Sequence, residues 1–340
     1  MKNAEGEDVN NMGTCEKSVA FTVEEVFDAK IEDLGRFGFE YQGINRGGVS
    51  DAFSARVANR LVGNQEDAAV IEITDSEFVI VAQQPLLVAV TGAVATVLID
   101  GDVTASQWCA LRVPSGRKLA IEAPSVGYRT YLAISGQIQA DELFGSVSDL
   151  PSLAFSNRLS VGDRIAVGGS DACSVDAAAA STMPMAKACA AFIRQRLNAH
   201  EALGILSTAE AELFVDFPAI CANSFMVSPM SNAVGVRLTG VTPQRAMEKE
   251  LVSRGVPIGA VEIPSDGEVI VLLRSRMITA GYAVPALICA ADLDVLGQLR
   301  PGESVRFTMI SEAQARRALT IQRALIACCE SVRREGAAEE

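Results

Sequence analysis

Short apolar runs separated by turn residues dominate the chain from Phe21 onward. Phe78–Ala82, Leu86–Val90 and Val94–Ile99 are rich in β-branched residues, and Asp100-Gly101 supplies a hairpin turn. Gln107–Val113, the turn Pro114-Ser115-Gly116, Lys118–Ala123 and Tyr128–Ile134 continue the series, and Val161–Ile165 reads as a last turn and strand. Strand-and-turn units of roughly 8–12 residues predict a sheet sandwich or barrel. One stretch has another period. Phe53, Val57 and Leu61 recur at i, i+4 and i+8, which is one face of a helix. Ser50 or Asp51 is its natural N-cap, and Gly63-Asn64 ends it.

The pattern changes at residues 169–202. A small, polar stretch reads as a linker, and Met185–Ala202 is Ala-rich and helical in pattern. A second β-rich unit spans 203–312. Asp266-Gly267, flanked by Ala260–Ile263 and Val269–Leu273, predicts a hairpin there. Ser311 with Gln314 three residues on has the form of a capping box, opening a helix that reaches Cys329. The expected plan is therefore mainly β with a few helices (α+β). A disordered tail (1–18) precedes a first half (19–168), a linker (169–202), a second half (203–312) and a C-terminal helix with a tail (313–340).

Composition narrows the function. With 340 residues and 49% hydrophobic content the chain can bury two cores. A formal net charge of −13 argues against nucleic acid and against anionic membrane surfaces, because both need a basic face. A local Arg cluster can still hold a small anion. Eight Cys without any C-x-x-C pair read as buried free thiols in a reducing compartment. The N-terminus is polar and acidic and lacks an apolar signal core, so the expected location is cytoplasmic with no membrane span. The single histidine, His200, excludes a His-rich metal site, and no metal is expected. Acid–base work falls to Asp, Glu, Lys, Tyr or activated water.

Specific motifs go further. Asp33-Leu34-Gly35-Arg36, then Gly43 to Asp51 (GINRGGVSD), precede Ala58-Asn59-Arg60-Leu61-Val62-Gly63-Asn64, Glu66-Asp67-Ala68-Ala69 and Glu72-Ile73. Trp108, Arg129-x-Tyr131-Leu132-Ala133 and Gly162-Asp163-Arg164 follow in order. The second half has Val227-Ser228-Pro229-x-Ser231, Gly235, Arg237-Leu238, Gly255-Val256-Pro257-x-Gly259-Ala260, Ile263-Pro264-x-Asp266-Gly267, Gln298-Leu299-Arg300-Pro301-Gly302 and Val305-Arg306-Phe307. This set resembles the family of the 5-oxoprolinase C subunit, allophanate hydrolase subunit 2 and the carboxyltransferase domain of urea amidolyase.

The resemblance implies two cyclophilin-like β-barrel halves, subdomains A and B and then C and D, with a cleft between them. It implies a companion chain similar to the 5-oxoprolinase B subunit, together with a lactam-opening subunit. ATP is used with the partner, and the substrate is 5-oxoproline or another small cyclic amide. In the alternative, biotin carried on another chain donates a carboxyl group to a urea-like acceptor. A third reading is a regulatory binding protein. Asn232 and Ala233 stand where the family has an acid and an Arg, and Met277, Ile278 and Val284 replace polar or cationic residues.

The candidate residues follow from both sources. Gly47 and Gly48 lead into a helix N-terminus, where backbone N–H groups attract anions, or else they form a tight turn. Arg36 is expected either to fork onto a substrate carboxylate or to bond loop carbonyls. Asp51 is either a base near the ring nitrogen or a helix cap. Arg276 is a second anion holder, and Ser228, Ser231, Arg237, Thr279 and Tyr282 are substrate-binding candidates from the second half.

Overall fold

The architecture comes from a computed structural model that describes residues 18–103, 107–169, 184–198, 202–246, 251–265 and 267–329. His200, Cys15, Cys173, Asp266, most of the N-terminal tail and most of the small polar linker lie outside the described residues.

The first half is built from two antiparallel sheets. One runs in the order Gln137–Ile138, Arg164–Gly168, Val19–Val26, Phe78–Ala82, Lys118–Ile121, Val97–Ile99, Asp102–Val103. The other runs Ala29–Glu32, Val70–Thr74, Val126–Ile134, Leu86–Val94, Ala110–Val113. Their inner faces share one core, including Phe21, Ile71, Phe78, Ile80, Val88, Leu119 and Leu132. The strand expected over Gln107–Val113 starts only at Ala110. Trp108 has φ +63, a left-handed conformation that no strand accommodates, and its buried ring packs 6.3 Å from Phe53.

The second half closes into a seven-stranded barrel. Its order is Leu203–Ser207, Ala283–Ile288, Ala260–Ile263, Val269–Leu272, Gly235–Thr239, Ser224–Val227, Ser304–Met309. The first and last strands meet in parallel, so no edge is left open. The expected hairpin pairs Val261 with Val271 and Glu262 with Ile270.

Among the described residues, four α-helices complete the fold. Helix α1 (Ala52–Leu61) buries Phe53, Val57 and Leu61 as their spacing requires, and also Ala55, Ala58 and Asn59, because other elements pack on its far side. Helix α2 (Pro184–Asn198) carries buried Cys189, Ile193 and Leu197. Helix α3 is one turn (Leu293–Leu296). Helix α4 (Glu312–Cys328) opens with the Ser311–Gln314 capping box and packs against α1 and α2. No helix among the described residues is long and apolar enough to cross a membrane.

A polar seam joins the halves. Gln298, fully buried, donates from Nε2 to Asp51 Oδ2 at 2.8 Å and to Arg129 O at 2.9 Å. Its Oε1 accepts from Tyr128 N at 3.0 Å and Arg129 N at 2.9 Å. Asp294 in α3 accepts from Ala52 N at 2.8 Å, at the first turn of α1. Gly47 N donates to Arg274 O at 3.2 Å, and Arg300 Nε to Gly127 O at 2.6 Å. Replacing Gln298 by Ala takes this amide from two N–H groups and a carbonyl and leaves Asp51 Oδ2 with Ser54 Oγ as its donor. A loss of about 3–5 kcal/mol is expected from the urea unfolding midpoint and slope. A loss under about 1 kcal/mol would show that the halves hold together without this amide.

Candidate functional site

The site begins with strand register. Lys30 pairs directly with Glu72, Glu72 with Tyr131, and Tyr131 with Thr91, so one row of side chains crosses the five-stranded sheet on a single face. Glu32, two residues from Lys30, shares that face. Lys30 Nζ lies 2.5 Å from Glu32 Oε1 and 3.7 Å from Glu72 Oε1, and Arg129 Nε lies 3.6 Å from the same Glu72 oxygen. Glu72 also accepts from Ser50 N at 2.7 Å and from the Tyr131 hydroxyl at 3.0 Å. Burial pushes Glu72 up, but Lys30 and Arg129 outweigh it and carry its pKa below the usual carboxylate range. Glu32 goes the other way. Burial and the Glu72 charge push it up to about 7 against the pull of Lys30. Burial opposes the Lys30 charge, yet Glu32 and Glu72 win and raise its pKa. Glu32 Oε2 is buried without a hydrogen-bond partner, so this carboxyl can gain or lose a proton near neutrality.

The row opens onto a cleft of about 270 Å³ between the halves. Lys30, Ser50, Glu72, Arg129 and Arg158 line it from the first half, and Ser231, Asn232 and Ala233 from the second. Arg158 is exposed and pairs with Asp28 at 2.5 Å. The cleft thus sets three cations and two carboxylates opposite a hydroxyl and an amide, a lining suited to a small polar guest carrying a carboxylate.

The structure distributes the sequence candidates unevenly. Ser231 is in the cleft, where its Oγ also accepts from Arg237 N at 3.0 Å. Ser228 accepts from Met230 N at 3.2 Å and shapes the same turn. Arg36 takes the structural one of its two roles. It is buried, its Nε donates to Leu143 O at 2.9 Å, Nη2 bonds Ser148 O, and the guanidinium lies 5.5 Å from the Phe155 ring centroid. Loop carbonyls leave it no fork for a substrate carboxylate. Asp51 is a buried cap that accepts from Ser54 N at 2.9 Å and Ser54 Oγ at 2.6 Å. Burial, then the neighbouring Asp294, pushes its pKa up to about 7. It lies behind the cleft wall and not in the lining, so a direct contact with the ring nitrogen is replaced by a role in the seam.

The N-terminus of α1 holds no guest anion either. Asp51 and Asp294, the chain's own carboxylates, already accept from Ser54 N and Ala52 N. Gly47 and Gly48 serve loop packing. At φ +96, a Cβ on Gly48 would sit 2.7 Å from Leu34 C, and Gly35 faces Arg46 O just as closely. Arg276 is buried and donates from Nε to Val256 O at 2.7 Å, and it is absent from the cleft lining. Arg237 pairs with Glu268, Thr279 is exposed on a two-residue strand, and Tyr282 is half-exposed; all three stand outside the cleft. Lys30, Arg129, Arg158 and Gln298 were not among the sequence candidates. The only readable signal for Lys30 was the alternation in Ala-Lys-Ile-Glu, which a solvated strand face gives equally well.

Comparisons with known proteins place the chain in a family. The family model described as carboxyltransferase domain, subdomain A and B, matches residues 42–309. The chain is 30% identical to the 5-oxoprolinase C subunit of Escherichia coli strain K12 over 292 residues, covering 85% of this chain and 90% of that protein. It is 29% identical to urea amidolyase of Lachancea kluyveri, covering 87% of this chain and 17% of that protein. The crystal structure of TTHA0988 superposes with a TM-score of 0.74 at 30% identity, over 85% of this chain and 55% of that one. The chain therefore spans about half the length of that solved relative.

Lys30→Met leaves Glu32 and Glu72 buried without their shared cation, and on the order of 3–5 kcal/mol of stability is expected to be lost at pH 8. Glu32 has a folded pKa of about 7, above its unfolded value, so its contribution is intact at low pH and is lost as pH rises through about 7. The Lys30→Met penalty should accordingly shrink at pH 5.5, where Glu32 is protonated, as read by urea unfolding at both pH values. A penalty independent of pH would remove Glu32 from this assignment.

Proposed function

Because the chain belongs to the carboxyltransferase domain family, subdomain A and B, we propose that it is the component of an ATP-dependent 5-oxoprolinase that corresponds to the C subunit. In this reading it holds 5-oxoproline in the cleft between its halves and works with a chain similar to the B subunit and with a lactam-opening subunit. The observation that carries the reading is the cleft's lining. Arg158 and Arg129 suit the substrate carboxylate, and Ser231 and Asn232 suit the ring amide across from it. The Lys30–Glu32–Glu72 row at that wall sets the local charge and supplies a carboxyl that titrates near neutrality. Ring opening adds water to the lactam carbonyl and breaks the ring C–N bond, yielding a carboxylate and an amine. ATP is assigned to the companion chains, since this sequence carries no P-loop phosphate-binding motif.

The likeness to urea amidolyase and the family's own description favour a second reading, carboxyl transfer from biotin held on another chain to a urea-like acceptor. The same cleft would hold the acceptor. A regulatory binding role, motivated by Ala233 and Val284 at positions where the family has cations, shares the cleft but not the chemistry.

The test is reconstitution of this chain with its companion subunits, measuring ATP hydrolysis that depends on 5-oxoproline. Arg158→Ala, at an exposed position that leaves the core intact, is expected to raise KM about tenfold with little change in kcat. Turnover that is unchanged when this chain is omitted would exclude the 5-oxoprolinase role. Turnover dependent on carboxybiotin in its place would select the second reading.

A further inference from the structure

On the other side of the seam lies a larger hollow, about 550 Å³, that the proposed reaction does not use. Its walls are the loop before α1, α1 itself, the loop after Val269–Leu272, α3 and α4. Four guanidinium groups line it, those of Arg46, Arg56, Arg274 and Arg323, against two carboxylates, Glu66 and Asp294.

Those carboxylates are already engaged. Glu66 pairs with Arg56 and, at 2.5 Å, with Arg60. Asp294 accepts from Ala52 N at 2.8 Å and Gln322 Nε2 at 2.7 Å, with Arg274 at 3.4 Å. Arg46 and Arg323 have no ion-pair partner among the described residues. Arg46 donates only Nε, to Leu34 O at 3.1 Å, and stacks 3.8 Å from the centroid of the Phe37 ring. Burial, then the nearby Arg274 and Arg56 charges, depresses its pKa to about 10 against the pull of Glu40.

Four cations less two carboxylates leaves an excess of two positive charges in the lining. The chain as a whole carries −13, which repels polyanions such as nucleic acid while this concave spot attracts a small one. Guanidinium forks match the oxygens of phosphate and carboxylate groups in pairs. We propose that this pocket is a binding site for a compact dianionic oxyanion, a phosphate or a dicarboxylate, held by Arg46 and Arg274 on one side and closed by Arg323 of α4. Helix α4 lies beyond residues 42–309, the part matched by the family model. The site is independent of the 5-oxoproline cleft, and the two assignments stand or fall separately.

Calorimetric titration of the full chain tests it, with inorganic phosphate in one arm, succinate in another, and sodium chloride at matched ionic strength as the control. Saturable one-to-one binding of phosphate, succinate or both is expected, and the arm that responds identifies the source of the charge. Arg323→Gln, on an exposed helix face, should weaken binding about tenfold. Arg46→Gln should weaken it at least as much, while Arg117→Gln, outside both the pocket and the cleft, should leave it unchanged. Binding of neither probe, or binding that is indifferent to Arg323→Gln, overturns the proposal.

Discussion

The molecule is organised by a buried amide that has no free hydrogen-bonding position. Gln298 comes from the barrel half, and all four of its bonds reach the other half, to the Asp51 carboxylate and to the Tyr128–Arg129 backbone. Apolar contacts tolerate sliding, whereas a buried polar group must meet each partner or bear its full desolvation cost. The seam therefore selects one register between the halves. Gly297 shows how tight that register is, since a Cβ there would stand 2.6 Å from Ser50 O. The cleft exists as a fixed shape because this seam fixes its two walls.

The same seam concentrates acid. Asp51 and Asp294 are both buried at the start of α1; burial raises both pKa values, and the Asp294 charge adds to the rise of Asp51. The first-turn N–H groups of α1 and the donors Gln298 and Gln322 make that burial tolerable. The helix dipole, which elsewhere serves ligands, here serves stability. Two further groups of charged side chains flank the seam, the Lys30 row of the cleft and the arginine-lined hollow.

Local pattern made the elements readable. The 3.6-residue period around Phe53, the Ser311 capping box and the strand-and-turn spacing are set by near neighbours in sequence, and each element forms close to where those signals stand. Roles were less readable, because a motif names a residue and not its partners. Arg36 fits a carboxylate fork equally well until Leu143 and Ser148, 107 and 112 positions away, bring their carbonyls to it. Lys30 and Glu72 face one another only through strand pairing, and nothing in either strand announces the other. Gln298 stood inside a recognisable motif, yet its function depends on an aspartate 247 positions earlier. Trp108 broke its expected strand through a backbone conformation that its side chain does not predict.

The departures in the second half take on a different meaning once they are placed. Val284 lies in the barrel wall, buried, with its N–H donating to Glu210 Oε2 at 2.8 Å and its carbonyl accepting from Thr208 Oγ1 at 2.5 Å. It is not part of the cleft lining. Ala233 does line the cleft, and its methyl group brings no charge there. The cations that remain, Lys30, Arg129 and Arg158, all come from the first half and are held by its strands and its carboxylates. The second half contributes a hydroxyl, an amide and shape. The charged side chains of the cleft thus stand on one wall, that of the first half, each cation beside a carboxylate of the same half.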